Sequence, residues 1–192
     1  MIATPYADLL LEWEQFYLKH FSPTFDFASL PVPVRPGDGW RLLIIADIPL
    51  EQVYEKCKEL FQCWCWTDGS FNEIVTWNER DAKNGPYAVW VKDNVEADEE
   101  LKHLSASDIK VKGMATETLA ERLIHELKFF TETGEHLDLK NVTLCAGSRD
   151  SFGVVPGVCW RYGAMTVLWA MPVYCSDSLR SRQAVPSAED GK

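Results

Sequence analysis

Apolar positions recur along this chain with two different periods, and the places where the period changes mark out its elements. Over residues 8–20, Leu9, Leu10, Trp13, Phe16 and Tyr17 return at intervals of three and four. That spacing predicts an amphipathic helix, opened by Thr4-Pro5 and buried along one stripe. Residues 40–47, WRLLIIAD, form a short apolar run of the kind found in a buried strand. Pro49 then opens PLEQVYEKCKELF, where Leu50, Val53, Tyr54, Cys57 and Leu60 or Phe61 make a second helical stripe.

Aromatic alternation follows in CWCWT and SFNEIVTW on either side of Asp68-Gly69, which predicts a hairpin. After the turn signal Asn84-Gly85-Pro86 comes another strand pattern, YAVWVK. Residues 93–112 are charged and read as helical or irregular. The longest helical repeat covers residues 116–133, with Leu119, Leu123, Leu127 and Phe130 on one face and Gly134 as its cap. Residues 142–146, 158–162 and 164–171 return to strand character, the last two joined by a turn at Tyr162-Gly163.

Prolines 23, 31, 33 and 36, closed by Gly37 and Gly39, make residues 22–39 an extended irregular connection, either a linker or a strap across the body. Hairpin-linked strands with about three helices in separate places indicate an α+β fold. The expected organisation is one domain over residues 1–182, with a mainly antiparallel sheet and a flexible tail at 183–192.

Composition narrows the function. The net charge of −10 sets up a field that repels phosphate backbones, which argues against direct nucleic-acid binding. No window approaches the 18 or so apolar residues that a membrane helix needs, and residues 1–21 lack the basic start and continuous apolar core of a signal peptide. Six cysteines at positions 57, 63, 65, 145, 159 and 175 match neither zinc-knuckle spacing, so reduced thiols in a cytoplasmic protein are expected. Neither a metal nor a cofactor is expected.

Several catalytic signatures begin and then fail. His125-Glu126 starts like a metalloprotease helix, but position 129, where the second histidine should face the same ion, is Phe. A surface helix end accounts for His125 and His136. Gly147-Ser148 lies in A-G-S-R-D and not in the G-x-S-x-G of a nucleophile elbow, and no phosphate-binding loop occurs. The acidic run Glu96, Asp98, Glu99 and Glu100 lacks the pattern that fixes oxygens around a cation and reads as a solvated helix start.

The remaining candidate site is the polar loop at 147–153. It offers Ser148, Arg149, Asp150 and Ser151, with Trp160 and Arg161 on the following strand. Arg149 and Arg161 would fork a carboxylate or phosphate, Asp150 would orient one of them, and Trp160 would present a flat face to a ring. The bland reading is a structural turn in which Asp150 caps backbone amides. Six tryptophans fall on expected strands, namely Trp64, Trp66, Trp77, Trp90, Trp160 and Trp169. They form either core or an aromatic face for a ligand or partner.

The segments VEADEELKHLSASDIK and LIHELKFFTETGEHLDLKNVTLCAGSRDS, with the tryptophan-bearing strands after them, resemble hypothetical bacterial proteins that have no assigned activity. The resemblance spans roughly residues 87–182. It implies a bacterial, cytoplasmic origin and supplies no catalytic residue. The expectation is therefore a binding or protein-interaction module that meets a small molecule or a protein through the 147–153 loop. Two alternatives stand beside it. One is a small enzyme acting on an anionic or ring-bearing metabolite, with Asp150 as base and Arg149 or Arg161 as anion clamp; the other is an acidic inhibitor imitating nucleic acid.

Overall fold

The longest helical repeat in the sequence becomes the centre of the fold. The computed structural model describes residues 6–67 and 69–187, and within them the chain is α+β. The elements run α1 (Ala7–Phe21), β1 (Trp40–Ile45), α2 (Leu50–Leu60), β2 (Cys63–Cys65), α3 (Phe71–Ile74), β3 (Val75–Asn78) and β4 (Tyr87–Lys92). There follow α4 (Ala106–Val111), α5 (Leu119–Thr133), β5 (Val142–Leu144), β6 (Ser148–Asp150), β7 (Val155–Arg161), β8 (Ala164–Ala170), β9 (Leu179–Arg180) and β10 (Val185–Pro186). The expected start signal of α1, Thr4-Pro5, lies outside the described residues. None of the described helices is long and apolar enough to cross a membrane.

Helix α5 starts with a capping box: Glu121 N–H donates to Thr118 Oγ1 at 3.2 Å and Thr118 N–H to the Glu121 carboxylate at 2.8 Å. Every residue from 121 to 129 is buried, because Leu119, Leu123, Ile124 and Leu127 pack into one core with residues of both larger sheets. The first sheet has the order β1-β4-β10 and is antiparallel. The second has the order β2-β8-β7-β5-β9, with parallel pairs β2–β8 and β5–β9 and an antiparallel centre. β3 and β6 form a separate antiparallel ribbon. The turn from β7 to β8 puts Tyr162 at φ 53° and Gly163 at φ 76°, the paired positive angles that a tight hairpin requires.

Four expectations change here. The segments around Asp68-Gly69, of which Asp68 lies outside the described residues, do not make a hairpin. β2 joins β8, β3 joins β6, and residues 71–74 are helical. Phe71 is the cause: it packs edge-on to Tyr54 of α2 at 4.8 Å, while its N–H donates to Glu51 at 2.8 Å. Residues 183–187 do not belong to a tail. Gln183 bridges to Thr116, Ala184 is buried and β10 pairs with β4, whereas residues 188–192 lie outside the description.

The tryptophans do not line one face. Trp90 is buried, Trp64 and Trp77 are about half exposed, and Trp66 lies outside the strands. The histidines, finally, are not at a surface: His125 is fully buried and His136 is stacked between Phe130 and Trp160. Residues 22–39 do form a strap. Phe27 and Leu30 enter the core, and Trp90 Nε1–H donates to the Pro33 carbonyl at 2.8 Å.

Because α5 is buried on every side over residues 121–129, the charged side chains there must find partners inside the protein. Asp138 takes both guanidinium groups of Arg122 and Arg182 at 2.7–3.0 Å, together with Thr143 Oγ1–H at 2.6 Å and Ala97 N–H at 2.9 Å. Arg122 also reaches Glu126 at 2.8 Å, which in turn meets His136 Nδ1 at 2.9 Å. A separate buried pair joins His125 Nδ1 to the Glu117 carboxylate at 2.9 Å, and leaves His125 Nε2 and Glu117 Oε2 without hydrogen-bond partners.

Burial pushes the Glu117 carboxyl up to about 8 against the opposing pull of Arg182 and Arg122, and burial likewise drives His125 well below the ordinary imidazole range. The folded protein therefore holds Glu117 protonated where the unfolded chain ionises it. Its contribution to stability is full below about pH 4.5 and is lost as pH rises to about 8. Glu117→Gln removes this loss. Its urea midpoint is expected to rise relative to wild type between about pH 5 and about pH 8.5; a difference that stays constant with pH would show that Glu117 keeps an ordinary affinity for its proton.

Candidate functional site

The β3–β6 ribbon turns the candidate loop into a two-sided device. Its cross-strand pairs are Trp77 with Arg149 and Asn78 with Ser148, and neighbouring pairs on a pleated ribbon face opposite ways. The inner pair anchors it. Ser148 is fully buried, its Oγ–H donating to Asn78 Oδ1 at 2.6 Å and its Oγ accepting the Leu119 N–H, at the start of α5, at 2.9 Å. Just before it, Gly147 lies so close to the 116–118 backbone that a Cβ would come within 2.9 Å of the Thr116 carbonyl oxygen. Glycine is required there to let the two backbones touch.

The outer pair faces an open cleft of about 520 Å³, within the range of small-molecule sites. Trp77, Glu79 and Arg149 form its ribbon side, and Ile109, Lys110, Gly113 and Met114, from α4 and the turn after it, form the other. Arg149 is half-buried. Its Nη1 group donates to the carbonyls of Ala146 at 2.6 Å and Ser148 at 2.7 Å, and its guanidinium carbon lies 5.9 Å from the centre of the Trp77 ring. No carboxylate among the described residues comes within ion-pair distance of it, and its Nε and Nη2 hydrogens have no partner there. Burial lowers its proton affinity, with Glu79 opposing that shift from a distance. Glu79 itself pairs with Arg80 at 3.1 Å. Arg80 is anchored by Glu121 at 2.8 and 2.9 Å and by the Thr116 carbonyl at 2.7 Å, and so ties the cleft to α5.

The other expected site residues lie elsewhere or serve the backbone. Asp150 Oδ1 accepts the N–H groups of Phe152 at 2.8 Å and Val154 at 2.7 Å, so this carboxylate closes the turn. Ser151 is exposed. Trp160 stacks on His136 with ring centres 3.4 Å apart and planes 7° from parallel, which leaves that face unavailable to a ligand ring. Arg161 lies at the far end of β7, six residues beyond Val155, or about 20 Å at the usual strand rise. It lines a different cleft, of about 440 Å³, with Trp169 and Tyr174. The expected fork between Arg149 and Arg161 is therefore not formed.

Glu79 and Lys110 escape the sequence reading, and Trp77 enters it only as one of six strand tryptophans offered as core or as an aromatic face. The alternation of residues 75–79 places Trp77 and Glu79 on one face, but the strand opposite them is some seventy residues away, and nothing local announces that pairing. The acidic run is accounted for by the chain itself. Glu96 accepts the amides of Lys140 and Asn141, Asp98 accepts the Gln183 amide, Glu99 pairs with Arg180 and Glu100 with Lys92. No group of three or more acidic, histidine or cysteine side chains among the described residues is placed to hold a metal. Compared with protein-family models, curated proteins and solved structures, the chain matches none of them.

Proposed function

We propose that this chain is a small-molecule binding module of the bacterial cytoplasm whose recognition surface is the Trp77–Arg149 cleft. One observation carries the reading. A half-buried arginine, positioned by two backbone carbonyls and lying beside a half-exposed tryptophan, keeps its Nε and Nη2 hydrogens free of protein partners. A guanidinium group that burial has partly stripped of water and that meets no carboxylate at close range gains most from an external anion. The ring of Trp77 supplies a flat apolar surface beside it.

Binding is favoured over catalysis at this loop because Asp150, the carboxylate nearest to Arg149 in sequence, is committed to its turn. The cytoplasmic part of the reading draws support from Cys57, Cys145 and Cys159, which are buried free thiols whose ionisation is suppressed by burial. A thermal-shift screen with anionic metabolites tests the proposal. A ligand at 100 times its Kd should stabilise the wild type by about 2.7 kcal/mol, and Arg149→Ala should abolish that gain while costing the unliganded protein only its two carbonyl hydrogen bonds, about 1–3 kcal/mol together. Equal shifts in both proteins would place the ligand elsewhere.

A further inference from the structure

The charges of the cleft restrict the anion further. Arg149 spends both Nη1 hydrogens on carbonyl oxygens, so its remaining donors, Nε–H and Nη2–H, form a single fork that matches one carboxylate. Two residues along the same face of the ribbon from Trp77 stands Glu79, with its backbone N–H bound to the Gly147 carbonyl at 2.8 Å. The residue opposite Glu79 is thus Gly147, which is packed against the 116–118 backbone. Arg80 contacts Glu79 at 3.1 Å and makes a bidentate bond to Glu121. Glu79 is exposed and lines the cleft.

A second negative charge on the ligand would meet this carboxylate, whereas a positive one would be attracted to it. Lys110, exposed like Glu79, stands across the cleft on α4 and not on the ribbon beside Arg149. Opposite the ribbon, Ile109 and Met114 add an apolar wall to the ring of Trp77.

We infer that the cleft takes a zwitterion, an aromatic α-amino acid or a derivative of one, with its carboxylate on the Nε and Nη2 edge of Arg149, its ammonium group on Glu79 and its ring against Trp77. This rests on the binding reading above and names the ligand class for the same site. The volume of about 520 Å³ leaves room beyond the ring for a substituent.

Calorimetric titration of the full chain with four probes tests it: L-phenylalanine, 3-phenylpropionate without the amine, phenethylamine without the carboxylate, and phenyl phosphate. L-Phenylalanine is expected to bind tightest, with each of the two truncated probes weaker by about tenfold or more, as loss of a charged hydrogen bond implies. Glu79→Gln should bring L-phenylalanine down to the affinity of 3-phenylpropionate while leaving 3-phenylpropionate unweakened; Arg149→Gln should bring L-phenylalanine down to the affinity of phenethylamine while leaving phenethylamine unweakened.

If 3-phenylpropionate equals L-phenylalanine on the wild type and both need Arg149, the zwitterion is wrong and the anion cleft stands. Tighter binding of phenyl phosphate would overturn the inference in favour of a dianion. No binding of L-phenylalanine overturns it outright, and the Arg149-dependent thermal shifts with other anions then decide separately whether the cleft binds anything.

Discussion

Asp138→Ala is expected to destabilise the protein by about 3–5 kcal/mol, the cost of breaking a buried ion pair by removing one partner. Asp138 is the one carboxylate shared by Arg122 and Arg182, both fully buried, and its removal leaves two guanidinium groups and the Thr143 hydroxyl short of an acceptor. Arg122 retains Glu126, but Arg182 is left with Thr143 Oγ1 and two backbone carbonyls. Backbone geometry adds to the loss. Asp138 sits at φ 55°, a left-handed conformation that aspartate and asparagine tolerate better than alanine.

Asp138→Asn, which keeps that tolerance and part of the hydrogen bonding, should therefore lose less than the alanine variant. Burial raises the proton affinity of Asp138, but the two arginines outweigh it and hold the carboxyl below its ordinary value of 3.8. Its contribution is accordingly present above about pH 4 and is lost as pH falls below that. Urea unfolding near neutral pH measures the effect. With a total stability of order 5–15 kcal/mol, a loss under about 1 kcal/mol for the alanine variant would mean that the cluster is not the closed network described here.

Glu121→Ala carries the second large effect, expected to be about 3–5 kcal/mol for the same reason, and it reaches the cleft as well. Glu121 accepts from Arg80 twice, from the Tyr87 hydroxyl at 2.9 Å and from the Thr118 amide that opens α5. Its loss unties Arg80, which is the partner of Glu79, and weakens the helix start onto which Ser148 is fastened. Ligand binding should therefore weaken together with stability. Asp138→Ala acts on a network that contains no residue of the cleft, and at temperatures where it remains folded it should bind normally. Equal binding losses in the two variants would mean that the cleft responds to global stability and not to the Arg80–Glu121 tie.

Most elements were legible because their causes are local. The stripe of α5, its cap at Gly134, the strand of residues 40–45 and the turn at Tyr162-Gly163 each follow from spacing or backbone freedom within a few residues. What escaped was decided at long range. The alternating aromatics of residues 63–78 suit a hairpin taken alone, but Phe71 finds its partner in α2, and β2 and β3 find theirs in strands about a hundred and about seventy residues later.

Similarly, His125 reads as part of a surface helix end, since nothing in its own segment shows that residues 121–129 are buried on every side. Within the candidate loop the sequence reading found Arg149, whose chemistry is carried by one side chain. It missed Glu79, and the pairing of Trp77 with Arg149, because a site shared by two strands becomes visible only once the strands are paired. It also joined Arg149 to Arg161, which lie twelve residues apart in sequence but on different strands, β6 and the far end of β7.

The most direct test of the Trp77–Arg149 cleft is the set of tryptophan indole N–H resonances during titration with 3-phenylpropionate, the Trp77 signal being assigned from Trp77→Phe. The Trp77 resonance should move with saturation, and in Arg149→Ala it should stay in place throughout. A titration that moves Trp169, beside Arg161 in the other cleft, while Trp77 stays fixed would contradict the account.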